Sequence, residues 1–236
     1  MPNGPAADDE AVHLVGAPRQ LTFSGSVLTA GESCELLLPS SLQSYADRPV
    51  MSLPIRKRRG GGGRLCLRLA DATPHGHYAA ELRIAGNAYP VALDIQPALR
   101  LSISPRSADF QGKPGTSAAA ELSLTNNGNV PIMVPETAIV MLNDDQEIEA
   151  ALADIFGQDS DDAQALVGRL LRGLRARYAG PLELRIAEAA GSVGPGQQRT
   201  LNVTTKIPKN LKPGRSYDGI WEIGPLRHRV NVSVQS

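Results

Sequence analysis

The sequence predicts an all-β chain of two tandem β-sandwich domains, the second carrying a helical-hairpin insertion. Three observations predict this: a strand–turn–strand unit that occurs twice, short alternating strands punctuated by Gly and Pro at spacings near ten residues, and one stretch whose apolar period is helical.

The repeat comes first. Residues 74–95 align with 213–234 without a gap, matching Pro74 to Pro213, Tyr78 to Tyr217, Leu82 and Ile84 to Trp221 and Ile223, and Val91, Leu93 and Ile95 to Val230, Val232 and Val234. Each copy alternates apolar and polar residues on both sides of a short turn. That pattern describes a hairpin of two half-buried strands, because successive side chains leave a strand on opposite faces. An earlier match, with one residue of slippage, sets Leu21-Thr22-Phe23-Ser24-Gly25 and Glu35-Leu36-Leu37-Leu38 against Ala108-Asp109-Phe110-Gln111-Gly112 and Glu121-Leu122-Ser123-Leu124. Tyr78 and Tyr217 each follow a Gly closely. They stand where immunoglobulin-type sandwiches carry a tyrosine corner, or they are ordinary packed tyrosines; the sequence leaves both open.

The domain boundary is expected at Gln96-Pro97-Ala98, giving domains at 11–97 and 98–236 behind a disordered tail at 1–10. Leu99, Leu101 and Ile103 alternate as the first strand of the second domain. The insertion is expected over about 143–179. Ile148, Leu152, Ile155 and Phe156 form one stripe, and Leu166, Val167, Leu170, Leu171, Leu174 and Tyr178 form another. Asn143 caps the first helix and Gly157 stops it; Asp159 or Ser160 caps the second and Gly180 ends it. Asp161 and Asp162 at the start of the second helix and Arg169, Arg172, Arg175 and Arg177 at its end complement the helix dipole, and the arginines are candidate binding residues.

A second candidate surface is the run Arg56-Lys57-Arg58-Arg59 with Arg64 beyond the glycines at 60–63. Four cations and four glycines in succession read as a mobile, solvated loop, able to grip phosphate or an acidic protein, or else only to solubilise a loop tip.

Composition narrows the function classes. Lys plus Arg and Asp plus Glu are both 24, so there is no global field for nucleic acid or an anionic membrane, and 4% aromatics supply few stacking platforms. No apolar run is long enough for a membrane-spanning helix. The N-terminus has no basic region followed by an apolar one, so a cytoplasmic location is expected, or a periplasmic one if a signal has been trimmed. Cys34 has inward parity and Cys66 outward parity, which argues against a disulfide between them and suits a reducing compartment. His75, His77 and Asp71 fall short of a metal-ligand set, no GxSxG elbow or P-loop occurs, and Cys66 beside Arg64 and Arg68 has no catalytic motif around it. No cofactor, metal or catalytic residue is expected.

One segment carries a family resemblance. Phe110-Gln111-Gly112-Lys113-Pro114-Gly115, with Ala119-Ala120-Glu121-Leu122-Ser123-Leu124-Thr125-Asn126-Asn127-Gly128-Asn129-Val130-Pro131, resembles bacterial immunoglobulin-like domains of the ASPM/SPD-2/Hydin and major-sperm-protein type and, more distantly, fimbrial chaperones. The resemblance implies tandem immunoglobulin-like sandwiches and a non-enzymatic, protein-binding or scaffold role in a multiprotein assembly, with self-assembly left open. The alternative is a pilus-type two-domain periplasmic chaperone; a hydrolase accessory protein ranks last.

Overall fold

The computed structural model describes residues 12–25, 28, 32–57, 63–144, 178–186 and 188–236. The chain divides into two compact units. One runs up to Arg100 and includes 127–131 and 194–196; the other comprises the remaining residues from Leu101 onward.

The first unit contains β1 (Val12–Gly16), β2 (Leu21–Gly25), β3 (Ser33–Leu37), a single helical turn α1 (Ser40–Gln43), β4 (Val50–Pro54), β5 (Arg56–Lys57), β6 (Gly63–Leu67), β7 (Gly76–Ile84) and β8 (Asn87–Ile95). Hydrogen-bonded neighbours run β4-β3-β7-β8-β1-β2-β6-β5. β1 and β2 touch at one register pair, Val15 with Thr22, so the run folds into two layers there. Leu36, Leu82 and Leu93 of one layer and Leu21, Leu65 and Leu67 of the other fall in one buried cluster. Strand alternation therefore turns one face of each layer inward, as a sandwich requires.

The second unit contains β9 (Leu101–Ser104), β10 (Ser107–Gly112), β11 (Ser117–Asn126), β12 (Ile132–Val134), β13 (Thr137–Asp144), β14 (Tyr178–Arg185), β15 (Gly191–Val193), β16 (Gln198–Lys206), β17 (Ser216–Ile223) and β18 (Leu226–Val234). The order is β10-β18-β17-β13-β14-β16-β11-β9, with β12 and β15 forming a separate small sheet. Here the layers join through β14 and β16, at only two register pairs. Phe110, Trp221, Val230 and Leu201 lie in its own buried core.

The late hairpin is the same structure twice. His77 faces Asp94 as Ser216 faces Ser233, and Ile84 faces Asn87 as Ile223 faces Leu226. The Tyr78 hydroxyl donates to the Pro74 carbonyl at 3.1 Å, and the Tyr217 hydroxyl accepts from the Lys212 N–H at 2.9 Å. Both copies thus tie the tyrosine back to backbone just upstream, the bond that defines a tyrosine corner. With β1 parallel to β8 and β10 parallel to β18, an early strand beside the last in each unit, the order matches two immunoglobulin-like sandwiches.

The earlier repeat needs correcting. β10 pairs in parallel with β18, matching Ala108, Phe110 and Gly112 to Val230, Val232 and Val234. Its counterpart is β1, where Val12, Leu14 and Gly16 match Val91, Leu93 and Ile95. Leu21, Phe23 and Gly25 belong instead to β2, which pairs with β6.

The ends of the expected insertion also need correcting. Asn143 and Tyr178 face each other across β13 and β14, so Asn143 is no helix cap and Tyr178 no helix residue; Gly180 lies within β14 with φ +109°. The rest of the expected helical hairpin, residues 145–177 with Arg169, Arg172, Arg175 and Arg177, lies outside the described residues, as do Arg58 and Arg59. Among the described residues α1 is the one α-helix. Leu99 lies ahead of β9 and is exposed, so the alternation that included it begins at Leu101.

A buried histidine makes the second unit sensitive to pH. His228, opposite Trp221 in the hairpin, is 4% exposed, with the two ring centroids 6.5 Å apart. Burial lowers its pKa below the ordinary 6.5, and the Asp109 carboxylate offsets this in part. The unfolded chain then binds the proton more readily than the folded one. The stability contributed by neutral His228 is present above pH 6.5 and is lost as pH falls from there through the depressed pKa. Denaturant titrations from pH 7.5 to 5.0 should show the second unit weakening as pH falls, and His228→Phe should flatten that dependence. An unchanged slope in the variant would refute the assignment to His228.

Candidate interaction surfaces

Two surfaces stand out, one in each unit. In the second unit, β13 is apolar on both faces. Val140 and Leu142 point inward and are fully buried, while Ile139 and Met141 point outward at 72% and 41% exposure. Register pairing sets Met141 beside Pro181 and Ile139 beside Glu183 on β14. On the other side, pairing of Asn143 with Asp218 brings Ile220, 49% exposed, alongside Met141. Tyr178, 58% exposed, extends the same face. These residues form one contiguous apolar platform on a sheet whose other face already supplies the core.

The platform's rim is charged and internally paired. Arg185 donates to Glu183 at 2.8 Å, Arg227 to Glu222 at 3.1 Å, and Arg229 approaches Asp218 at 3.8 Å. An apolar centre inside a polar rim is the usual anatomy of a protein-binding patch. The Arg185–Glu183 and Arg227–Glu222 pairs are solvent-exposed and add little stability by themselves.

In the first unit the structure brings together part of the predicted basic site. Arg56 and Lys57 are not loop residues; they form β5 and pair with Arg64 and Gly63 of β6. Ile55, just before them, is buried. Gly63 is required there, since a Cβ would stand 2.4 Å from Ile55 Cγ2 and 2.7 Å from the Leu28 carbonyl oxygen. Arg64, Cys66 and Arg68 follow on one face of the chain, with Cys66 half-buried between the arginines. Arg68 was not among the binding candidates, although its parity with Arg64 placed it there. Cys34 is buried on β3, donates its thiol proton to the Leu53 carbonyl at 3.3 Å, and has its pKa raised by burial to about 11.

The Asn-Asn-Gly-Asn run is structural. Asn126 Nδ2 donates to the Val193 carbonyl at 2.9 Å. Within the first unit, Asn129 Oδ1 accepts the Ala98 N–H at 2.6 Å and its Nδ2 donates to the Gln96 carbonyl at 3.1 Å. A Cβ on Gly128 would stand 2.1 Å from the Ala98 carbonyl oxygen, so only Gly fits the turn.

Other chemistry is sparse. His77 Nδ1 lies 3.4 Å from Asp94, and the described residues contain no group of three or more His, Cys, Asp or Glu side chains placed to hold a metal ion. Among them no helix is long and apolar enough to cross a membrane.

No family model matches the chain, and no curated protein matches it. Solved structures do. The PapD-like domain 7 of human CEP192, described as an ASH/PapD-like domain, is 14% identical, covers 58% of this chain and 86% of its own, and has a TM-score of 0.30. A chain from the structure of Dpr11 IG1 bound to DIP-gamma IG+IG2 is 14% identical over 96% of this chain and 96% of its own, with a TM-score of 0.31. A protein of unknown function from Porphyromonas gingivalis W83 is 14% identical over 96% of this chain and 98% of its own, with a TM-score of 0.25. Such values are too low to bear on function, and the fold assignment rests on this chain's own strand order, register and paired tyrosine corners.

Proposed function

We propose that this chain is a non-enzymatic, protein-binding component of a multiprotein assembly, and that it engages its partner through the apolar platform of β13, β14 and β17. The observation that carries the reading is the exposure of Ile139, Met141, Ile220 and Tyr178 together, inside a rim of closed ion pairs. Covering large apolar side chains of this kind releases about 1.5–3 kcal/mol for each one fully buried, enough for a few of them to dominate an interface. The resemblance of the Asn-Gly-Asn segment to ASPM/SPD-2/Hydin and major-sperm-protein domains supports the same role class. A cytoplasmic setting suits two unbridged thiols.

Ile139→Arg combined with Ile220→Arg tests the reading. Both side chains are exposed, so each substitution should change stability by no more than about 0.5 kcal/mol. Affinity for a partner recovered from the native host should fall by a factor of about 30 or more. Sedimentation of both proteins at matched concentration identifies a second copy as the partner if only the parent chain self-associates. Unchanged affinity and unchanged sedimentation, with the fold intact by circular dichroism, would sink the platform as the binding surface.

A further inference from the structure

In both units two register pairs join the layers, and in the first unit the strand leading into that seam has an unpaired edge. β14 and β16 are hydrogen-bonded, Leu184 to Thr205 and Arg185 to Thr204. The first unit makes the same join through β5 and β6, Arg56 to Arg64 and Lys57 to Gly63, with only Ile55 between β4 and β5. β4 pairs with β3 alone and ends its sheet. The Ile55 N–H donates to the Glu32 carbonyl at 2.9 Å and the Leu38 N–H to the Pro49 carbonyl at 3.1 Å. Antiparallel alternation between those two bonds turns the N–H and C=O groups of Val50 and Ser52 away from β3, toward the open side. Pro54 adds a carbonyl there and no donor.

Beside this edge lies a groove of about 810 Å³, with Met51, Leu53 and Pro54 on the β4 side and Arg56, Arg64 and Arg68 on the other. Its cationic lip is uncompensated. Arg56 and Arg64 are directly opposite each other across β5 and β6, an arrangement that costs stability unless an anion lies between the charges. Among the described residues none of these three arginines has a carboxylate partner, whereas Arg19, which also lines the groove, is paired with Asp71.

We propose that this groove binds an extended acidic segment of a partner protein, which adds to β4 as a further strand and sets its carboxylates against Arg56, Arg64 and Arg68. The β4 edge supplies main-chain hydrogen bonds and the arginines select charge, which is how sheet-edge recognition divides affinity from specificity. The surface belongs to a different unit from the platform and stands or falls without it.

Cys66, half-buried in the groove between Arg64 and Arg68, is a built-in reporter. Cys34 is buried, so a thiol reagent at neutral pH reads Cys66. The full chain is titrated with a blocked peptide alternating Glu and Val and matched to the five residues of β4. This peptide should slow modification of Cys66. The Lys–Val counterpart should not, nor should a Glu–Val peptide whose backbone nitrogens are methylated. Arg56→Ser, Arg64→Ser and Arg68→Ser together should raise the half-protecting concentration about tenfold, each rate being referred to the same variant without peptide. Ser52→Pro, which removes an edge donor and leaves every arginine in place, should raise it as well. No slowing by the Glu–Val peptide, or equal slowing by the Lys–Val peptide, would overturn the site. Equal protection by the methylated peptide would overturn strand addition.

Discussion

Trp221→Ala is expected to cost the second unit about 3–5 kcal/mol, the loss typical of removing a fully buried indole and leaving a cavity. Trp221 is 1% exposed and is among the largest fully buried side chains. It packs edge-on to His228 and belongs to the same buried cluster as Phe110, Leu201 and Val230. A domain holds only about 5–15 kcal/mol in total, so the variant should sit near its unfolding threshold. Trp221 is the chain's single tryptophan, so fluorescence of the parent follows the second unit. The variant is best followed by amide exchange, which should lose protection in β17 and β18. Leu82 occupies the same place in the first copy of the hairpin and is also fully buried. Leu82→Ala should cost about 2–5 kcal/mol in β7 and β8 while the tryptophan signal keeps its transition. A loss below about 1 kcal/mol at Trp221 would mean that the core closes around the deletion, contrary to the packing described.

The second large effect concerns Asp144 and Arg215. The guanidinium lies 2.7 Å from the carboxylate, with side-chain exposures of 28% for Arg215 and 5% for Asp144. The asymmetry decides the order of the variants. Asp144→Ala leaves a cation that water can still reach, whereas Arg215→Ala leaves a carboxylate enclosed without its guanidinium. Removing one partner of a buried pair costs about 3–5 kcal/mol. Arg215→Ala should approach that range and Asp144→Ala should fall below it. Adding Asp144→Asn to the Arg215→Ala chain should recover much of the loss, because the enclosed group is then neutral. Denaturant midpoints of the four proteins decide the matter, and a larger loss for Asp144→Ala would contradict the burial argument.

The late hairpin was fully legible in sequence because its two copies share turn, tyrosine and alternation, and these three together fix register. The first strand was not. Val12-His13-Leu14-Val15-Gly16 and Leu21-Thr22-Phe23-Ser24-Gly25 both alternate and both end in Gly, and alternation says which face a side chain takes without saying which strand lies alongside. Only the parallel pairing with β8 and β18 distinguishes them. Asn143 was read as a cap because an Asn before an apolar period is the usual helix signal; pairing of β13 with β14 and β17 overrides it. Of the basic residues, Arg56 and Arg64 were found by their charge, but strand pairing, not a loop, brings them together. The platform was missed although its signal was present. Residues 138–142 read Ala-Ile-Val-Met-Leu, with no polar side chain to mark an outer face, and a half-buried strand normally alternates.

That unbroken run also bears on how the protein behaves when it is not folded. A five-residue apolar segment rich in strand formers, bracketed by Glu136 and Asp144, is the type of sequence that pairs with copies of itself once its neighbours release it. Any variant that opens the second unit releases this strand from both neighbours at once, and the competing process is then intermolecular and steepens with concentration. Soluble yield should therefore fall faster than thermodynamic stability across a series of second-unit variants, and recover when Ile139 is made charged.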